Sequence, residues 1–434
     1  MSKPVLEVAE VVRRCGGAFL NAYGATLSLA QRTVLHALVL CRTSALGGHL
    51  ERCDNPSCGY QRPAYNSCRN RHCPKCQSLA KARWIAARQQ QLLPVVYFHV
   101  VFTLPEAIAR LALQNKTVVY HLLFQTVAAT LHSIAADPKH LGAQLGFFAI
   151  LHTWGQQLTH HPHLHCVVPG GGLSPDGQRW IPCQRSKKGK HFFLPVQVLS
   201  ARFRRLFREA LLEAFQQGQL AFFGDLAWLS DPAAFRRWLH LASHRRWVVY
   251  AKRPFGGPAQ VIEYLGRYTH RVAISNHRLL KIEDGRVSFS WKDYRHGGVT
   301  KTLSLEALEF LRRFFLHVLP SGFVRIRYFG FLANCHIQDK IACCRQLLNV
   351  DPASLLLPTP PPDYRTLYLQ LTGQSLELCK IGEEPDSNAR GRLVIDRADQ
   401  MHRAEIVAVE FFVVGAGLFT EIHGRSNSHD LHQI

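Results

Sequence analysis

Five of the thirteen cysteines crowd between Cys53 and Cys76, and this cluster constrains the fold of its stretch more than any other feature of the chain. The pairs are Cys53-Asp54-Asn55-Pro56-Ser57-Cys58 and Cys73-Pro74-Lys75-Cys76, separated by a hairpin-like segment from Gly59 to Ser67. Two thiolate pairs held apart by a loop of ribbon length can close a tetrahedral structural zinc site, so Cys53, Cys58, Cys73 and Cys76 are the expected ligands. Cys68 is an alternative ligand, and His49 and His72 are surplus donors, which leaves open whether one ion binds or two. The other cysteines are scattered, a distribution that fits metal binding in a reducing compartment better than a disulfide framework. Arg69, Arg71 and Lys75 lie among the ligands, where they read either as a phosphate-binding surface or as solvated charge.

The net charge of +22 and pI of 9.8 point to a polyanionic partner, nucleic acid or an anionic membrane surface. With 434 residues, 47% of them apolar, the chain has room for two to four domains with ordinary cores. The start, Met1-Ser2-Lys3-Pro4-Val5, lacks a signal-peptide core, and the apolar runs Val95 to Leu104 and Ile406 to Phe419 are short or interrupted by Glu410. A soluble, intracellular protein is expected.

Upstream of the cysteines, Leu27 to Leu46 has helical apolar spacing and ends at Gly47-Gly48. Downstream, Leu79 to Leu93 reads as a basic amphipathic helix ended by Pro94, and Val95 to Leu104 as a strand buried on both faces. Glu106 to Asp137 is helical in pattern, and Gly146 to Trp154 is a second strand. The third strand, His161-Pro162-His163-Leu164-His165-Cys166-Val167-Val168, runs into Pro169-Gly170-Gly171-Gly172. In an extended chain His163 and His165 share one face and Leu164 takes the buried one, which makes half a metal site. Taken alone, the same pattern suits two surface histidines equally well. A hairpin of the second and third strands would bring His152 or Gln156 beside the pair, either of which could complete the shell.

Lys187-Lys188-Gly189-Lys190-His191 is a basic loop, and Arg202 to Phe215 is a helix carrying Arg204, Arg205 and Arg208. In Val261-Ile262-Glu263-Tyr264-Leu265-Gly266-Arg267-Tyr268-Thr269-His270-Arg271, a helix would put Tyr264 and Tyr268 at i and i+4, beside Arg267 and Arg271. Tyrosines at this spacing ordinarily pack in a core. Val287 to Trp291 reads as a strand, Tyr294 to Gly298 as a turn and Leu303 to Leu319 as a helix. Gly322 to Gly330 alternates arginine with aromatics like a strand suited to a nucleic-acid groove, before a helix around Ile337 to Leu348. Pro358 to Pro362 is a linker, and the tail beyond it is acidic in places.

In their order, the cysteine knuckle, the His-x-His strand, the paired tyrosines and the basic strand resemble the two-tyrosine HUH transposases of rolling-circle insertion sequences, of the insertion-sequence-91 type. The resemblance covers roughly residues 20 to 350 and rests on the joint order of four motifs. It implies an α+β fold, an antiparallel sheet flanked by helices, preceded by a small helical and zinc-ribbon domain. The implied division is residues 1–93 for the helical and zinc-binding part, 94–285 for the catalytic domain, 286–350 for a basic DNA-binding region, and 351–434 for a linker and divergent tail. Near Leu376-Glu377-Leu378-Cys379-Lys380 the resemblance leads one to expect a second cysteine, and only Cys379 is present.

By the same resemblance, His163-Leu164-His165 is the metal-binding motif, holding magnesium or manganese, with the third ligand left open between His152 and Gln156. Tyr264 and Tyr268 are the nucleophiles, zinc is structural, and single-stranded DNA is the substrate of a cytoplasmic, nucleoid-associated enzyme. Two-metal integrase chemistry fits poorly, because carboxylates between Cys53 and Asp231 are few and scattered. A replication initiator or relaxase with the same chemistry, and a non-catalytic zinc-dependent DNA-binding regulator, are the alternatives.

Overall fold

The structure, a computed structural model, describes residues 6–351 apart from 57, 185–192, 245–246, 253–259, 261, 263–265 and 267–272, and beyond 351 only 363, 365–366, 369, 375 and 393–401. Its helices are α1 (Val8–Tyr23), α2 (Leu29–Leu40), α3 (Ser78–Gln89), α4 (Glu106–Gln114), α5 (Lys116–Ala136), α6 (Val196–Gln216), α7 (Pro232–His244), α8 (Ala307–Leu316) and α9 (Ile337–Leu347). The strands are β1 (Gly48–Cys53), β2 (Gln61–Tyr65), β3 (Tyr97–Thr103), β4 (Gly146–Trp154), β5 (His160–Pro169), β6 (Gly171–Leu173), β7 (Trp180–Pro182), β8 (Val249–Lys252), β9 (Leu279–Glu283), β10 (Arg286–Asp293), β11 (Val299–Glu306), β12 (Ile326–Gly330) and β13 (Leu393–Met401).

The centre is a five-stranded antiparallel sheet in the order β12-β4-β5-β3-β8. Strand alternation divides its residues between two faces. Phe98, Val100, Phe102, Phe147, Leu151, Leu164, Cys166 and Val168 pack against α4, α5, α6 and α7 in the largest core. Tyr97, Phe148, Ile150 and Val167 turn to the other face, where Trp84 and Ile85 of α3 and the buried Ile262 cover them. The α+β architecture with an antiparallel sheet flanked by helices is therefore as expected. The long apolar α5 has the length and composition to cross a membrane, but it packs in the large core, with Tyr120, Leu123, Phe124 and Val127 buried.

Several boundaries depart from the pattern-based expectations for identifiable reasons. The helix expected across Glu106 to Asp137 breaks at Asn115, whose side-chain oxygen accepts from Ala221 N at 2.8 Å while its amide donates to Ala221 O at 2.8 Å. Leu303 and Leu305 belong to β11, paired along its length with β10, so α8 starts only at Ala307. At α2 the Ser28 hydroxyl and the Gln31 side chain form a reciprocal cap, which explains the sharp start at Leu29. The tail contributes β13, which pairs antiparallel with β1 on the opposite side from β2. Lys187 to His191, Pro358 to Pro362 and Cys379 lie outside the described residues.

A second core joins the chain's beginning to its later part. Val8, Val11, Val12 and Phe19 of α1 and Val34, Leu35 and Leu38 of α2 pack with Phe289 of β10 and Phe310, Phe314 and Phe315 of α8. Phe19 stacks on Phe315 with centroids 5.4 Å apart, and Gln31 donates to the Phe315 carbonyl at 2.9 Å.

Between the two cores runs a buried polar seam. His317 Nε2 donates to the Leu158 carbonyl at 3.1 Å, which leaves Nδ1 to accept from Thr153 Oγ1 at 3.2 Å. His160 Nε2 and the Tyr120 hydroxyl are hydrogen-bonded at 2.8 Å. Burial pulls His317 down to about 3 and His160 to about 2, with the ammonium of Lys116 adding to both. The unfolded chain protonates these rings below about 6.5 and the folded one does not, so their contribution is intact above that pH and is lost as pH falls toward 3. At pH 5.5 the pair should lower stability by about 3 kcal/mol relative to pH 7.5. Urea midpoints at the two pH values measure this, and His317→Asn together with His160→Gln should shrink the wild-type difference by about 3 kcal/mol, leaving the share of the other buried histidines.

Candidate active site

On β4 and β5, His152 stands directly opposite His163, and Ile150 opposite His165. The three histidines share the sheet face away from α4–α7, with ring centroids 5.3 Å (His152–His163), 4.3 Å (His152–His165) and 4.8 Å (His163–His165) apart. One nitrogen from each lies within 4.8 Å of the others. Leu164 is fully buried on the opposite face. His163 Nδ1 donates to the His161 carbonyl at 2.6 Å, which leaves Nε2 as its lone-pair nitrogen. Burial pulls His163 down to about 3 and His165 well below its usual range, with His152 next to His165 reinforcing the effect. Both are neutral at physiological pH, the form in which imidazole binds a metal. Gln156 is turned elsewhere, its side-chain oxygen accepting from Lys292 N at 3.3 Å.

Tyr264, Tyr268, Arg267 and Arg271 lie outside the described residues, but two of their neighbours are placed. Ile262 is 1% exposed and packs with Ile150 and Val167 on the histidine face of the sheet. Gly266 lies so close to Ile85 of α3 that a β-carbon there would collide with it.

The cysteines assemble differently from the spacing argument. Sulfurs of Cys41, Cys68, Cys73 and Cys76 lie within 4.8 Å of one another. Separations of 3.3 Å (Cys41–Cys76), 3.7 Å (Cys41–Cys73) and 3.7 Å (Cys68–Cys76) approach the edge of roughly 3.8 Å that zinc–sulfur bonds of about 2.3 Å give a ZnS4 tetrahedron. Crowding splits their proton affinities: hydrogen bonds from the other three hold the Cys76 thiol far below the usual range, while the same neighbours push Cys73 far above it. Cys53 and Cys58 are not in this group. They sit at the tip of the β1–β2 hairpin, Cys53 N bonding to Tyr60 O at 3.0 Å and Cys58 N to Asn55 O at 3.0 Å, whereas Cys41 and Cys68 flank its base. A strand of this length places tip and base about 17 Å apart, so no single ion can join them. Cys41 escaped the sequence reading because it closes the site from the end of α2, distant in sequence from the knuckle. Spacing gave no signal for it, since Cys53 and Cys58 lie nearer to Cys68 along the chain. His72 is likewise no ligand candidate here, since its Nε2 accepts from Leu319 N at 3.2 Å.

The arginine-rich strand also turns inward. Arg325 is 9% exposed, and the Arg327 guanidinium lies 4.3 Å from the Phe124 ring centroid and 5.4 Å from that of Phe323. Arg71 donates to the carbonyls of Phe323 at 2.6 Å and Pro320 at 2.9 Å, tying the knuckle to the loop before β12. Arg71 and Arg325 thus serve to hold elements together, while Arg327 is half-buried over the two rings. Arg205 and Arg208 on α6 remain exposed.

Residues 11–104 match the family described as "Transposase zinc-binding domain", of the insertion-sequence-91 type, and residues 146–339 match the family described as "Putative transposase". Among curated relatives, "Putative transposase y4qJ" of Sinorhizobium fredii is 58% identical over 379 residues, covering 87% of this chain and 93% of its own length. "Transposase for insertion sequence element IS801" of Pseudomonas savastanoi pv. phaseolicola is 31% identical over 326 residues, covering 75% and 74%. The chain belongs to the insertion-sequence-91 family of transposases. Its class acts on DNA, and its N-terminal part is a zinc-binding domain with a four-cysteine cluster.

Proposed function

We propose that this protein nicks and rejoins single-stranded DNA at the ends of an insertion sequence through a 5′-phosphotyrosine intermediate, in the cytoplasm on nucleoid DNA. The observation that carries the reading is the three-histidine group on the sheet face against which Ile262, close before Tyr264 and Tyr268, is packed. The chain divides into a zinc-binding part, 1–93, a catalytic domain, 94–285, whose histidine-bearing sheet takes its edge strand β12 from a basic region, 286–350, and a tail, 351–434. Zinc is held by Cys41, Cys68, Cys73 and Cys76.

His163 and His165, with His152, hold the divalent ion, magnesium or manganese. No carboxylate belongs to the group among the described residues, and imidazole nitrogen favours a first-row transition ion over magnesium, so manganese is the first to test. Such an ion supplies Lewis-acid polarisation of a phosphoryl oxygen. A tyrosine hydroxyl, with an ordinary pKa of about 10, must lose its proton as its oxygen bonds to phosphorus. The bond from phosphorus to the 3′ oxygen breaks, and that oxygen takes up a proton. The phosphodiester energy is kept in the tyrosyl ester, so a 3′-hydroxyl can later attack it, release the tyrosine and rejoin the strand without a nucleotide cofactor. Two tyrosines let one site hold donor and target strands in turn.

The test is covalent capture of an end-labelled single-stranded oligonucleotide from an insertion-sequence end with Mn²⁺. The wild-type protein should form an SDS-resistant adduct, and Tyr264→Phe with Tyr268→Phe should reduce it to background. An adduct that persists in the double variant would reassign the nucleophile, and none in the wild type with either metal would favour a DNA-binding regulator.

A further inference from the structure

We propose that His99 of β3 is a positioning residue for His165, accepting the His165 Nδ1 proton so that Nε2 is the nitrogen presented to the metal. This rests on the reading of His163 and His165 as metal ligands. In the β3–β5 pairing, Val101 stands opposite His165 and His99 opposite Val167, so His99 is the diagonal neighbour of His165 on the same face. The rings lie nearly parallel, 14° apart with centroids at 4.9 Å, and His99 Nε2 is 2.7 Å from His165 Nδ1.

A neutral imidazole has one lone-pair nitrogen and one N–H. If His165 binds an ion through Nε2, its proton is on Nδ1, inside a sheet face lined by Val167, Ile150 and Val101. A buried donor without an acceptor costs about 1–3 kcal/mol, and the competing tautomer, with the proton on Nε2, cannot bind the ion at that atom. His99 removes the penalty from the ligating tautomer. Its own proton then resides on Nδ1, because Nε2 is the acceptor. Binding of a cation at His165 Nε2 makes Nδ1–H more acidic and its hydrogen bond to His99 stronger, so the pair and the ion reinforce each other. His163 achieves the same state by donating Nδ1–H to the His161 carbonyl. The two histidines of one motif are thus set by different devices, one a main-chain oxygen two residues away in sequence, the other a side chain from the neighbouring strand. Only the second can be altered by substitution without touching the ligand strand.

The experiment uses the full-length, zinc-loaded protein with Mn²⁺ as probe, followed by calorimetry or by the EPR signal of free Mn²⁺. His99→Leu, which offers no acceptor, should weaken Mn²⁺ binding about 10- to 100-fold, and His99→Gln, whose amide oxygen can accept, should stay within about threefold of wild type. Selective ¹⁵N-histidine NMR of the metal-free wild type provides a readout independent of any variant's folding. His165 should carry its proton on Nδ1, and a proton found on Nε2 would overturn the proposal. Equal Mn²⁺ affinity in wild type and His99→Leu would overturn it while sparing the metal-site reading. No Mn²⁺ binding by wild type, or undiminished binding in His163→Ala, would overturn the metal-site reading itself and the proposal with it.

Discussion

Serine at position 41 is expected to release zinc and unfold the N-terminal part of the chain together with α8. Structural zinc in small domains contributes on the order of 10–16 kcal/mol, comparable to the roughly 5–15 kcal/mol by which a whole domain is stable. Losing one of four thiolates leaves an open, water-accessible ion and forfeits much of that. The damage should spread, because Cys41 and Cys73 are 2% exposed and form part of the core that contains Phe19, Phe289 and Phe315. Metal analysis should show loss of zinc from Cys41→Ser, and limited proteolysis should cut within α1 and α2. Cys53→Ser, at the tip of the hairpin, should keep the buried zinc and resist the protease. The opposite pattern, zinc lost with Cys53 and kept with Cys41, would return the site to the pairs suggested by spacing alone.

Alanine at position 163 should separate catalysis from binding. Removing one ligand from a three-histidine group takes away most of the charge stabilisation that a bound ion gives a phosphoryl oxygen, several kcal/mol, so strand cleavage should fall by about 10²- to 10³-fold or more. Affinity for the same oligonucleotide should change only a few-fold, since contacts from lysine and arginine to phosphates supply most of it. Gel-based cleavage and fluorescence anisotropy at one fixed salt concentration measure the two quantities on one preparation. A parallel loss of both would mean that His163 supports the sheet and not the chemistry. The residue is half-buried beside fully buried Leu164, so a melting curve must accompany the comparison.

Both predictions concern residues whose legibility in the sequence differs sharply. The facing of the β5 histidines could be read from the sequence, because strand periodicity forces His163 and His165 to one face and Leu164 to the other, whereas the choice between His152 and Gln156 beside them was decided by the register. The helix-flanked antiparallel sheet was implied by the resemblance that the four motifs carry, and strand alternation then divides its residues between two faces. The cysteine site could be read only in part. Cys68, Cys73 and Cys76 sit in one turn-rich segment, but the fourth sulfur comes from α2, and hairpin geometry carries Cys53 and Cys58 away from them. Arginines alternating with aromatics suggested a groove, and the fold buries Arg325 and lays the half-buried Arg327 over Phe124 and Phe323. Charge in a sequence does not say which side of a strand water will occupy.

By itself, then, the amino-acid order determined what depends on short-range periodicity and ligand type: the strands β3, β4, β5, β10 and β12, most helices, the histidine pair, a cysteine-rich metal domain, and a basic chain suited to a polyanionic partner. Tertiary structure alone decided what depends on contacts between distant segments. It put Cys41 with the knuckle, packed α1 and α2 against α8, and set His99 against His165 across two strands. The physical reason is that local pattern fixes the face on which a side chain emerges, whereas its partner across that face is chosen by the register and packing of elements that the sequence leaves far apart.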